Sequence, residues 1–130
     1  MNTKILFISP LRRHAMELAR TLEAIRINLV HAYSLRHANS RLGHEEFAAI
    51  LTEAKLPDGC WRDVLHLRGR LAYSSEVIVT DAFADSRFWA EALSLGAYDV
   101  LAQPFATFEV QRIVSNACTR QVRAFPAGAA

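Results

Sequence analysis

Hydrophobic residues fall along this chain in five short runs, and most of the stretches between them repeat at helical spacing. Residues 4–8, KILFI, form a continuous apolar run, the pattern of a strand buried on both faces. Ser9-Pro10 follows and predicts a helix start, since serine is a favoured cap and proline suits the first helical position. Leu11, Ala15, Leu18, Leu22 and Ile25 then recur at spacings of 4, 3, 4 and 3, one apolar stripe with Arg12, Arg13, Glu17, Arg20 and Glu23 off it. Residues 28–33 predict a second strand, and 35–43 a polar, weakly helical stretch ending at Gly43. FAAIL at 47–51 is the third apolar run, followed by the turn signal LPDG at 56–59. A short helix through Val64, Leu65 and Leu67 ends near Gly69. VIVT at 77–80 is the strongest strand pattern in the chain. Residues 85–95 predict a helix that stops at Gly96, where a terminating glycine belongs. DVLA at 99–102 is the fifth strand. A last helix, from about Thr107 to about Arg123, carries Val110, Ile113, Val114, Ala117 and Cys118 on one face. Residues 124–130 are expected to form a flexible tail.

Five strands alternating with five helices predict βαβ units and an α/β fold: one doubly wound parallel sheet in a single domain over residues 1–123. Such a sheet offers chemistry at the carboxyl ends of its strands. The residues there are Ser9 and Pro10, Glu53, Thr80 and Gln103. Composition narrows the function classes. The length, 130 residues, suits one domain, and 52% hydrophobic with 22% charged residues excludes a disordered chain. A formal charge of +2 is too small to argue for nucleic acid, and no apolar run approaches the roughly 18–20 residues of a membrane span. The start, MNTKILFISPLRR, lacks a secretory pattern, and two cysteines, Cys60 and Cys118, suit a reducing cytoplasm.

Recognisable catalytic motifs are missing. His14, His31, His37, His44 and His66 show neither HxxxH nor HExxH spacing, and the cysteines complete no metal cluster. GxSxG, GxGxxG and the Walker loop are absent, so Ser9 reads as a helix start rather than a nucleophile, and no nucleotide or flavin site is indicated. Arg12, Arg13 and His14 read as a solvated basic start to the first helix. Asp58, Asp81, Asp85 and Asp99 read as loop caps.

The segments KILFISP, LTEAKLPDG, VIVTDA and ALSLGAYDVLAQPF resemble the receiver domain of bacterial two-component response regulators, over about residues 4–123. The last segment is the most specific. The resemblance implies a flavodoxin-like sheet of order 2-1-3-4-5 flanked by five helices, and a cis peptide before Pro104. It also implies a phosphorylation pocket. In the family an acidic pair and an aspartate hold Mg²⁺, the aspartate accepts a phosphoryl group, and a Thr or Ser and a Lys contact it.

Departures from that pattern are extensive. The acidic pair falls on Ser9 and Pro10, the phosphoacceptor on Glu53 and the lysine on Gln103; Thr80 alone is kept. The rotating aromatic of the switch falls on Val100, and Trp61 stands where glycine is common. The resemblance then implies a pseudo-receiver whose Mg²⁺ site is lost and which needs no cofactor. It would not be an enzyme, and would act through a protein partner or a second copy. Trp89 and Phe108, on the face of the fourth helix, fifth strand and fifth helix, are the candidate contact residues. Glu53 either mimics a phosphorylated aspartate or is a structural carboxylate paired with Arg12, Lys55 or Arg87. Two alternatives stand beside this: a working receiver using a displaced acid such as Asp58, and a small-ligand binder or enzyme on the same fold.

Overall fold

A computed structural model describes the backbone of residues 3–129 and the side chains of residues 3–119. The last helix runs to Ala129, past the end expected near Arg123, and the tail expected at 124–130 lies outside the described side chains. The elements are β1 (Thr3–Ile8), α1 (Arg12–Glu23), β2 (Ile27–Ala32), α2 (Leu35–Leu42), β3 (Ala49–Glu53), β4 (Lys55–Leu56), β5 (Gly59–Cys60), α3 (Trp61–Gly69), β6 (Glu76–Asp81), α4 (Ser86–Ser94), β7 (Asp99–Ala102) and α5 (Thr107–Ala129). Five strands form one parallel sheet in the order β2-β1-β3-β6-β7. Counting only those strands, this is the 2-1-3-4-5 order the resemblance implied. The extra pair, β4 and β5, is a small antiparallel hairpin over the LPDG turn.

Strand residues alternate between two cores, as a period of two requires in a sheet covered on both faces. Leu6, Ile8, Ile50, Val77, Val79 and Val100 pack with residues of α2, α3 and α4, including Ala38, Val64 and Ala92. Ile5, Phe7, Ala49, Leu51, Ile78 and Leu101 face the other way, against Leu18 and Leu22 of α1 and Val110, Ile113 and Val114 of α5. Continued one step, this parity puts residues 9, 53, 80 and 103 on the α1–α5 side of the sheet.

Several boundaries differ from the sequence reading. Helix α1 starts at Arg12, two residues late, with Leu11 as cap and no side-chain cap bond. Ser9 accepts the Leu11 amide at 2.9 Å in a local turn instead, the competition expected of a short hydroxyl side chain. Leu11 is exposed and leaves the apolar stripe. The second strand begins at Ile27, one residue early. The third strand is Ala49–Glu53 rather than 47–51, because Phe47 is buried just before it, its amide held by the Tyr73 hydroxyl at 3.1 Å. Helix α4 ends by handing its chain to Gly96 at φ +111°, with the Ala97 amide on the Ala92 carbonyl, a glycine-dependent stop. Leu95, at the end of that helix, is half exposed. The Gln103–Pro104 peptide is cis.

Candidate functional site

The four strand ends converge on one carboxylate. Glu53 ends β3 at 8% exposure, paired in register with Thr80. Its Oε2 accepts the Ser9 hydroxyl at 2.7 Å and the Nδ1 of His14 at 2.6 Å. Its Oε1 accepts Nε2 of Gln103 at 2.7 Å. The same Gln103 nitrogen reaches Thr80 Oγ1 at 3.2 Å. A carboxylate only accepts, so the Gln103 amide orientation and the Nδ1 proton of His14 are both fixed by Glu53.

Ser9, Glu53, Thr80 and Gln103 are therefore brought together as the sequence implied. Pro10 is not: it is exposed and bonds to none of them. Glu53 pairs with none of Arg12, Lys55 and Arg87. His14 takes that place, which corrects its reading as part of a solvated basic start. The signal for it was present, since His14, Leu18 and Leu22 share one side of α1 at steps of four. Arg12 and Arg13 turn outward and are exposed. The His14 ring lies edge-on to Phe105, centroids 5.6 Å apart.

A further layer supports Ser9. Its amide donates to Ala32 at 2.9 Å, and His31 Nε2 donates to its carbonyl at 2.8 Å. Val100, at the position of the family's rotating aromatic, is buried at 8% exposure.

The remaining acids are occupied structurally. Asp58 accepts the Leu35 amide at 2.8 Å on one oxygen and the Arg36 amide at 3.0 Å on the other, capping α2 from the hairpin turn. The two amides hold its carboxyl below the ordinary range. Asp85 caps α4 through the Phe88 amide at 2.8 Å. Asp81 receives the Phe83 amide at 3.3 Å. Asp99 receives Trp89 Nε1 at 3.0 Å and the Val100 amide at 2.7 Å. Among the described residues no group of three or more His, Cys, Asp or Glu is arranged to hold a metal ion. Burial pushes the Cys118 thiol up to about 11, which makes it a packing residue rather than a nucleophile.

A cleft of about 580 Å³ opens beside the network, between the hairpin and α4, with Lys55, Trp61, Asp81 and Phe88 among its walls. Ser9, Glu53 and Thr80 do not line it. On the outer face of α4, Trp89 is 47% exposed, and Phe108, in the first turn of α5, is 85% exposed. No helix of the described residues is long and apolar enough to cross a membrane.

Solved structures of receiver domains share this fold. The signal receiver domain of a LuxO repressor protein from Vibrio parahaemolyticus matches with a TM-score of 0.88 at 18% identity, over 98% of each chain. The receiver domain of Francisella response regulator 1452 matches at 0.78 and 21% identity, over 92% of this chain and 98% of its own. The beryllofluoride-activated NtrC4 receiver domain dimer matches at 0.81 and 21%, over 91% of this chain and 98% of its own. No family model matches the sequence, and no curated protein does. The chain has the flavodoxin-like fold of response-regulator receiver domains.

Proposed function

We propose that this receiver fold is a cytoplasmic signalling module of the two-component type that works without phosphorylation, is not an enzyme, and acts through protein contacts. One observation carries the reading. The residue at the phosphoacceptor position is Glu53, and both its oxygens are already engaged by Ser9, His14 and Gln103. Mg²⁺ wants several hard oxygens in near-octahedral order. Here one carboxylate remains, bound by three donors, with serine and proline in place of the acidic pair, so the donor set does not suit the ion. Asp58 is a poor substitute acceptor, because both its oxygens cap α2. The test is to add Mg²⁺ and beryllofluoride and follow the amide NMR spectrum. The expected result is an unchanged spectrum. Shifts spreading from residues 53, 80 and 103 would overturn the reading.

The contact surface in this proposal is the α4–β7–α5 face, with protein rather than nucleic acid or membrane as partner. Trp89 and Phe108 support it: large aromatics left exposed are common interface anchors. The Trp89–Asp99 hydrogen bond holds the indole against β7, an edge strand. The dimer described for the NtrC4 receiver makes a second copy the first occupant to test. Trp89→Ala with Phe108→Ala is expected to abolish self-association in sedimentation while leaving thermal unfolding within about 1 kcal/mol of wild type, as surface changes usually do. Equal sedimentation of wild type and variant would remove this face from the proposal.

A further inference from the structure

The pocket holds a second titratable group that the receiver comparison does not account for. Where the resemblance puts a lysine, this chain has neutral Gln103, and the imidazole on Glu53 comes from α1, on the other carboxylate oxygen. We infer that His14 is the pocket's built-in counter-ion: its second ring proton sets whether the buried Glu53 site is neutral or negative, and so couples pH to the Gln103–Thr80 arm.

The geometry leaves one proton free to vary. Nδ1 faces a carboxylate and is protonated in either charge state, so the exchanging proton is the one on Nε2. At 2.6 Å the contact has the shortness of a charge-assisted bond. With an imidazolium the pair is neutral. With a neutral imidazole the site keeps one negative charge among neutral donors, and an uncompensated buried charge is costly. The two states therefore favour different placements of Glu53 and of the Gln103 amide that Oε1 holds. Gln103 passes the change on, because its one nitrogen bridges Glu53 and Thr80, at the foot of the loops leading into α4 and α5. Histidine is the side chain whose ordinary range straddles neutral pH.

The other groups hydrogen-bonded to Glu53 are neutral. β1 contributes the Ser9 hydroxyl. β2 contributes His31, one hydrogen bond further off on the Ser9 carbonyl. β6 contributes Thr80, and the neighbouring Asp81 turns to the Phe83 amide. The segment after β7 contributes Gln103 and the ring of Phe105. On α1 the neighbouring Arg12 and Arg13 are exposed. The inference rests on the phosphorylation-independent reading, since a phosphoryl group at the pocket would outweigh one proton.

The test is an NMR titration of the free protein across the histidine range, reading ring nitrogens and backbone amides together. The expected result is that His14 titrates with Nδ1 protonated throughout, and that the Thr80 and Gln103 amides move with its midpoint. In His14→Gln, neutral at every pH, that amide movement is lost. Should His14→Gln not fold, Glu53→Gln serves: the His14 ring then titrates without moving Thr80 and Gln103. A His14 ring that does not titrate, amides that stay still while it does, or amides that still move in the variants would each overturn the inference. Beryllofluoride acceptance is read separately and would sink the phosphorylation-independent reading without altering these signals in the free protein.

Discussion

Trp61→Ala is expected to remove about 3–5 kcal/mol of stability, the range for deleting a large buried aromatic. Against a total of about 5–15 kcal/mol for a domain of this kind, that brings the protein close to unfolding. Trp61 opens α3 at 4% exposure, in the core cluster that contains Ala54, Val64, Val79 and Ala92. Its ring packs against Phe88 of α4 with centroids 5.7 Å apart, and the Arg62 guanidinium covers it at 4.8 Å. Its amide donates to Ala54 at 3.0 Å, the residue after Glu53. The indole thus joins the hairpin, α3 and α4 just beyond the pocket. Denaturant unfolding followed by far-ultraviolet circular dichroism should show a lower midpoint with an unchanged slope, the mark of lost stability rather than altered compactness. Trp61→Phe should recover most of the loss, since Phe88 would still meet a ring. A deficit below about 1 kcal/mol for the alanine variant would mean the site collapses around the gap.

That residue also marks the limit of what the sequence made legible. Trp61 follows a turn signal, and the resemblance marked it only as a departure, standing where glycine is common. Its burial follows from a two-stranded hairpin too short to show a period of its own. The large elements were readable because β1, β3 and β6 are buried on both faces and show it as unbroken apolar runs. DVLA at 99–102 coincides with β7, bounded by Gly96 and Pro104. The bounds of β3 were misjudged by two residues because Phe47 and Ala48 are as apolar as the strand they precede. The convergence of Ser9, Glu53, Thr80 and Gln103 was legible as strand-end positions. Their shared face needed the strand pairing, which only the structure supplies. His14 was missed because it was grouped with the arginines beside it in sequence, although its step of four to Leu18 puts it on the buried side of α1.

Glu53→Ala is the second large effect, expected to cost about 2–4 kcal/mol, and the size follows from what it leaves behind. Three donors lose their acceptor at once, and each buried donor left unmade costs about 1–3 kcal/mol. The losses are not equal. The Ser9 hydroxyl still has the Leu11 carbonyl at 3.5 Å as an acceptor, and Gln103 keeps its contact to Thr80, so both retain a partner. His14 keeps only the edge of Phe105 among its contacts here, and its ring must find water or turn out of the site. Glu53→Gln distinguishes the acceptor from the charge. Its amide oxygen can serve Ser9 and His14 together, and its amino group is tolerated if Gln103 turns its own oxygen inward. Thr80 can then donate to Gln103 rather than accept from it. The glutamine variant should therefore lose only about 1 kcal/mol, the net worth of an ordinary hydrogen bond. Urea unfolding of the three proteins side by side is the measurement. Equal losses for alanine and glutamine would show that the negative charge, rather than the geometry of acceptance, holds the four strand ends together. A small loss for both would mean the network is carried by the sheet around it. The expected order, alanine well below glutamine and glutamine near wild type, would leave Glu53→Gln folded enough to report on His14 alone.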